Sequence, residues 1–127
     1  MGAMLVRREP ASASTVRHEL IADLEARGVC ADAVDVAALV ASELVGNAVR
    51  HTTQDRDLDV HWSISADEVY FSVEDPSPVL PRPYVADSGA TGGRGLMIIE
   101  ALTSAWGFEP TPRGKRVWAR VPLNTVA

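Results

Sequence analysis

The residues Ser42-Glu43-Leu44-Val45-Gly46-Asn47-Ala48-Val49-Arg50-His51-Thr52 place a carboxylate, an amide, a guanidinium and an imidazole along one stripe of an otherwise apolar segment. In a helix, residues three and four apart are neighbours, so Glu43, Asn47, Arg50 and His51 form a ladder. Read backwards, the same stripe holds Leu39, Val40 and Val36. Polar groups on such a face are costly without partners, and the partner is either protein or ligand. The amide oxygen of Asn47 suits a hard cation such as Mg²⁺, which takes oxygen ligands and keeps several waters. Glu43, one turn earlier, is placed to orient or deprotonate a hydroxyl or a water beside that cation. The plainer alternative is an interhelical hydrogen-bond network.

Two further clusters have their own chemistry. Asp75 follows the apolar run Val69 to Val73. A carboxylate at a strand end can accept a hydrogen bond from an exocyclic amine, as adenine offers; the alternative is a turn former ahead of Pro76. Gly92-Gly93-Arg94-Gly95 stands before a short helical segment. Glycines opening a helix expose backbone N–H groups beside the positive end of the helix dipole, which favours phosphate. Arg94 would add a charge-assisted contact. The alternative is a flexible loop with a solvated arginine. A Walker-type Gly-x-x-x-x-Gly-Lys-Ser/Thr loop does not occur.

The elements that must position these residues follow from periodicity. Met4 to Arg8 reads as a short edge strand. Ser12 to Arg27 reads as a helix with Val16, Leu20, Ile21 and Leu24 on one side, ended by Gly28. Asp32 is suited to cap the next helix, which runs to about Thr52 and carries the ladder. The period then changes to two. Leu58, Val60, Trp62 and Ile64 alternate with polar residues, as do Val69, Phe71 and Val73, on strands joined by the turn Ala66-Asp67-Glu68. Pro76 to Gly95 is rich in Pro, Ser and Gly and has the character of a lid or binding loop, or else of a disordered segment. Leu96 to Ser104 reads as a short helix. Ala105 to Glu109 and Arg116 to Val121 read as two strands around a turn at Pro110 to Gly114. Helices grouped against antiparallel hairpins predict an α+β two-layer sandwich, with helices on one face of a mixed, mainly antiparallel sheet.

Composition narrows the classes. With 127 residues and 46% hydrophobic content, the chain is long and apolar enough for a single domain, 1–127, with a real core. The net charge of −5 argues against direct binding of nucleic acid. No membrane span or secretory leader is read, and the cytoplasm is the expected location. A single cysteine, Cys30, excludes an internal disulfide and a cysteine-based zinc site. It reads as a small buried hydrophobe between helices. Trp62, Trp106 and Trp118 read as core or sheet-face packing, and His18-Glu19 as a solvated helix face.

The three clusters occur in the order of a known set. Glu43-x-x-x-Asn47-x-x-x-His51 resembles the N box of the GHKL ATP-binding superfamily. Asp75 resembles the adenine-binding aspartate of its first glycine box, and Gly93-Arg94-Gly95-Leu96 its second box. Gly114-Lys115-Arg116-Val117-Trp118 is similar to the final strand of the small members. The wording of the ladder is most similar to the bacterial anti-sigma-factor serine/threonine kinases of actinomycete type, and the resemblance covers nearly the whole chain. It implies the Bergerat, or histidine-kinase-like ATPase, fold. It implies that Asn47 binds the Mg²⁺ bridging the phosphates of ATP. It implies that Asp75 binds adenine, that Gly93, Gly95 and Leu96 approach the phosphates through the backbone, and that Arg94 and Lys115 belong to the nucleotide site. It implies that Glu43 is the general base for a serine on an anti-sigma-factor antagonist, that the chain also binds a sigma factor, and that it shares the family's tendency to form homodimers. Phosphorylation would act by adding charge to an interface that tolerates a neutral hydroxyl.

The chain departs from this pattern in three places. Asp75-Pro76-Ser77 puts serine where the first box has glycine. The lid segment reads Pro78-Val79-Leu80-Pro81-Arg82-Pro83, which is stiff because proline fixes φ. Lys115 and Arg116 stand where small hydroxyl residues face the nucleotide, either helping the phosphates or acting as strand-edge charges. A non-catalytic sigma- or antagonist-binding module of the same fold, and a catalytic fragment of a histidine kinase, are the competing expectations.

Overall fold

The computed structural model describes residues 2–51, 57–65, 67–76 and 91–123, and of residues 51 and 91–96 the backbone alone. Five strands and three helices follow in the order β1 (Gly2–Val6), α1 (Ala11–Ala26), α2 (Ala31–His51), β2 (Leu58–Ile64), β3 (Glu68–Asp75), α3 (Thr91–Leu102), β4 (Ala105–Thr111) and β5 (Gly114–Pro122). The strands form one sheet in the order β1-β2-β3-β5-β4. Every described pair is antiparallel, in line with the mixed, mainly antiparallel sheet that the hairpins predict. The helices cover one face, and the architecture is the two-layer α+β sandwich that the periodicities predict.

The period-two pattern decides which face is covered. Val69, Phe71 and Val73 of β3 are buried, with Leu58, Val60 and Trp62 of β2 and Ala119 and Val121 of β5. The register sets Val60 beside Val73, Trp62 beside Phe71, and Phe71 beside Ala119. Val16, Leu20 and Leu24 of α1 and Val40, Leu44 and Val45 of α2 complete one core cluster. Leu20, Leu24, Leu58 and Phe71 are fully enclosed, and each such side chain contributes about 1.5–3 kcal/mol of transfer free energy.

Local signals set the boundaries. α1 ends in a Schellman motif: the Val29 N–H donates to the Leu24 carbonyl and the Gly28 N–H to the Glu25 carbonyl. Gly28 takes the left-handed φ of 79° that this ending requires. α2 begins one residue before Asp32, the Val34 N–H donating to the Cys30 carbonyl. Asp32 therefore lies inside the first turn, facing the helix dipole, and is not the cap. Cys30 is exposed at this junction, so the expectation of a buried thiol is corrected. β1 spans Gly2–Val6, two residues earlier than its expected start, because Met4 and Val6 pair with Val60 and Leu58. β4 and β5 extend to a tight turn at Pro112-Arg113, with Thr111 paired to Gly114. Pro110 fits in β4 because that strand is an edge. β5, by contrast, is interior, which removes the reading of its charges as edge protection.

Trp62 is core, stacked on Phe71 with ring centroids 6.2 Å apart. Its indole Nε1–H donates to Asp23 Oδ2 of α1 at 2.8 Å, tying the helix layer to the sheet. Trp118 lies on the opposite face, stacked on Tyr70 and covered by the Arg120 guanidinium at 5.8 Å. Trp106 packs against the core margin, and His18 and Glu19 are exposed. Among the described residues no helix is long and apolar enough to cross a membrane.

Candidate functional site

α2 carries the ladder along the margin of its buried face. Val40, Leu44, Val45 and Ala48 are core, whereas Glu43 and Asn47 are half-buried and Arg50 is exposed. Leu39, read as part of the same apolar stripe, is 42% exposed and lies outside the core. The Arg50 guanidinium bends back along the helix, and its Nη2 donates to Asn47 Oδ1. Gly46 gives that arm room, since a Cβ there would stand 3.3 Å from Arg50 Nη1. The oxygen expected to serve a cation is therefore already an acceptor. A carbonyl oxygen has two lone pairs, so the amide retains capacity for a second partner. The hydroxyl of Ser42, beside Glu43, is buried with no hydrogen-bond partner among the described residues. The ladder's fourth member, His51, is helical, and its side chain lies outside the described residues.

α2 packs against α3, β3 and β5. The last residue of β3 is Asp75, which closes the covered face after Val69, Phe71 and Val73. It is 2% exposed, and its partner is Lys115, the second residue of β5, itself 4% exposed. Lys115 Nζ lies 2.9 Å from Asp75 Oδ1. The two residues are paired across the β3–β5 register, 40 positions apart in the chain. Gly114 makes the closeness possible. Its φ is 154°, and a Cβ on it would fall 2.1 Å from the Asp75 carbonyl oxygen. Arg116, the next residue, points to the other face and pairs with Glu109 at 3.0 Å and Glu74 at 3.9 Å.

The glycine cluster differs from its expected setting. α3 begins at Thr91, so Gly92, Gly93, Arg94 and Gly95 lie within its first turns and not in a loop ahead of it. The first four N–H groups of a helix have no intrahelical acceptor, so the backbone here still offers donors at the positive end of the dipole. The side chains of Arg94 and Leu96 lie outside the described residues, as do Ser77 and the lid segment from Pro78 to Pro83.

The structure thus joins Asp75 to Lys115 and Asn47 to Arg50, and sets Glu43 one turn before Asn47. Two relationships have no signal in the sequence: the Asp75–Lys115 pair and the Asp23–Trp62 bond, whose partners are 39 positions apart. Asp23 has its carboxyl held below its ordinary value of 3.8, first by the Trp62 hydrogen bond and then by Arg27, against an opposing effect of burial. Among the described residues no group of three His, Cys, Asp or Glu is placed to hold a metal ion. A cation here would depend on phosphate oxygens and a single protein oxygen, a common arrangement for Mg²⁺.

No curated protein sequence matches the chain. Among solved structures, the fold is similar to that of the histidine kinase domain from Erythrobacter litoralis EL346 blue-light activated histidine kinase, with a TM-score of 0.56 and 20% sequence identity. The match covers 90% of this chain and 60% of that one. At this identity the likeness concerns the fold. Matched to the histidine kinase-like ATPase domain over residues 6–121, the chain belongs to that family, a GHKL-type ATP-binding module.

Proposed function

We propose that this chain is an ATP- and Mg²⁺-dependent protein serine kinase acting as an anti-sigma factor: it phosphorylates an antagonist protein, binds a sigma factor and so regulates transcription from the cytoplasm. The observation that carries this reading is the placement of Glu43 and Asn47 one turn apart and half-buried on α2, a helix that packs against α3. The donor set fits the nucleotide. Asp75 offers a buried acceptor for the exocyclic amine of adenine, the start of α3 offers backbone N–H groups for phosphate, and Asn47 offers an amide oxygen for Mg²⁺. The ion, when bound, neutralises charge on the phosphates, which is most of what phosphoryl transfer requires beyond positioning. Glu43 then accepts the proton of the antagonist's serine hydroxyl as that oxygen becomes the nucleophile. A homodimer is the proposed assembly.

The test is a calorimetric titration with ATP and Mg²⁺, followed by a transfer assay with a candidate antagonist. Asn47→Ala is expected to weaken nucleotide binding at least tenfold. Glu43→Ala is expected to retain binding and abolish transfer. ATP binding without transfer to any antagonist would remove the kinase reading and leave the second one.

That second reading is a non-catalytic sigma- or antagonist-binding module with weak or no ATP binding. It is favoured by one observation: both key acceptors are already engaged within the chain, Asp75 by Lys115 and Asn47 by Arg50.

A further inference from the structure

Leu39 is 42% exposed although α2 is a core helix. Ala41, two residues on and about 200° round the helix, is fully buried, so Leu39 stands on the pole of α2 that faces away from the sheet. Val36, three residues earlier, is half-buried and packs on the core, which leaves Leu39 as the outer end of the helix's apolar surface. Its neighbours are not arbitrary. Steps of four residues form a ridge on a helix, and one such ridge runs Asp35, Leu39, Glu43, Asn47. Asp35 is exposed, whereas Glu43 and Asn47 are half-buried. The ridge therefore begins in solvent with an acid and a leucine and sinks toward the proposed base and metal ligand. Asp32, also exposed, lies three residues before Asp35 and adds negative charge to the outer end. The ion pairs among the described residues use neither Asp32 nor Asp35.

We propose that this ridge is the docking strip for the phosphoacceptor: an extended, serine-bearing segment of the antagonist protein lies along α2, with an apolar side chain at the second residue from the serine and a lysine or arginine at the fourth, on the same side. This rests on the reading of Glu43 as the base for that serine, which fixes the register. A helix rises about 1.5 Å per residue, so Leu39 lies about 6 Å from Glu43 along the axis and Asp35 about 12 Å. An extended chain rises about 3.3 Å per residue and turns alternate side chains to one face, so its second and fourth residues fall about 6.6 and 13 Å from the serine. The two spacings match within the reach of side chains. The residue over Leu39 is apolar because an apolar contact is what removes that leucine from water. The residue over Asp35 is cationic because Asp35 and Asp32 present like charge there, and a carboxylate would be repelled. The net charge of −5 favours the same approach.

The experiment presents radiolabelled ATP, Mg²⁺ and a library of short peptides that hold a single serine and vary one flanking position at a time. Label on the serine is measured for the wild type, Leu39→Ser, Asp35→Lys and Leu5→Ser, with a calorimetric titration of ATP beside each. Leu5, 62% exposed on the edge strand β1, is the control. All three substituted side chains are exposed, so folding is expected to persist. The wild type is expected to prefer Leu, Ile, Val or Met over Ala at the second residue by about fivefold. It is expected to prefer Lys or Arg over Ala at the fourth by about two- to fivefold. Leu39→Ser is expected to lose the first preference and keep the second, through KM and not kcat. Asp35→Lys is expected to turn the second preference toward Asp and Glu, which a merely structural role would not do. Leu5→Ser is expected to match the wild type. A flat profile, or preferences unchanged in Leu39→Ser and Asp35→Lys, would overturn the inference. So would an equal loss in Leu5→Ser, or a changed ATP affinity in Leu39→Ser, which would assign that residue to the nucleotide site. Transfer to an intact antagonist protein but to no peptide would overturn docking of an extended segment and leave the kinase reading standing. ATP binding without transfer to either would overturn both.

Discussion

Arg50 Nη2 donates to Asn47 Oδ1 across one turn of α2, so a guanidinium shares the acceptor proposed for a Mg²⁺ ion. The guanidinium is exposed and the amide half-buried. Such a bond contributes little to stability in water, but it sets a local competition between an internal cation and an incoming one. Removal of the arm is expected to favour the incoming ion. In Arg50→Ala the increment in ATP affinity caused by Mg²⁺ should rise about two- to fivefold, the scale of a net hydrogen bond near the surface. Titrations with and without Mg²⁺ read this directly. A fall in affinity would show that Arg50 serves the phosphates.

The buried ion pair at the β3–β5 register should dominate local stability. Lys115→Met leaves the Asp75 carboxylate buried without its ammonium, and such changes cost about 3–5 kcal/mol. Asp75→Asn with Lys115→Met removes both charges and is expected to recover more than half of that loss. Urea denaturation of the three proteins gives the comparison. Equal stability of the single variant and the wild type would show that water reaches the pair.

Gly114 is predicted to resist every substitution. Gly114→Ala adds a Cβ only 2.1 Å from the Asp75 carbonyl oxygen at a φ of 154°. The backbone strain alone costs about 1–3 kcal/mol, and the steric overlap forces the ends of β3 and β5 apart. Thermal unfolding should show a lowered midpoint, and hydrogen exchange should show faster opening at the β4–β5 turn than in the rest of the sheet.

The Asp23–Trp62 bond predicts a pH dependence with a definite sign. The Asp23 carboxyl is held below 3.8 in the folded chain, chiefly by the Trp62 N–H. A depressed folded value means that the carboxylate stabilises the fold above the unfolded value, and that this contribution is lost as pH falls through the folded one. Asp23→Asn keeps an acceptor and loses the charge. It should destabilise the protein by about 1 kcal/mol at neutral pH, and the difference should shrink as pH falls through the lowered folded value. Denaturant titrations at a series of pH values, followed by tryptophan fluorescence, measure it.

Much of this protein is determined within single segments of sequence. The two-residue alternation of Leu58 to Ile64 and Val69 to Val73, and the helical spacing of Val16, Leu20 and Leu24, dictate which side chains face the core, because strands and helices have fixed periods. Glu43 and Asn47 fall on one helical stripe for the same reason, and Gly28 ends α1 because it alone tolerates the left-handed turn there. The tertiary structure decided what these segments meet. Cys30 reads as apolar yet lies exposed where α2 begins. Arg116 and Lys115 are adjacent in sequence, yet the pleat sends them to opposite faces, one into surface ion pairs and the other onto buried Asp75. Asp75 and Lys115 meet only because β5 inserts between β3 and β4. That strand order is a global packing outcome, set by burial of all five strands together, and no local period encodes it.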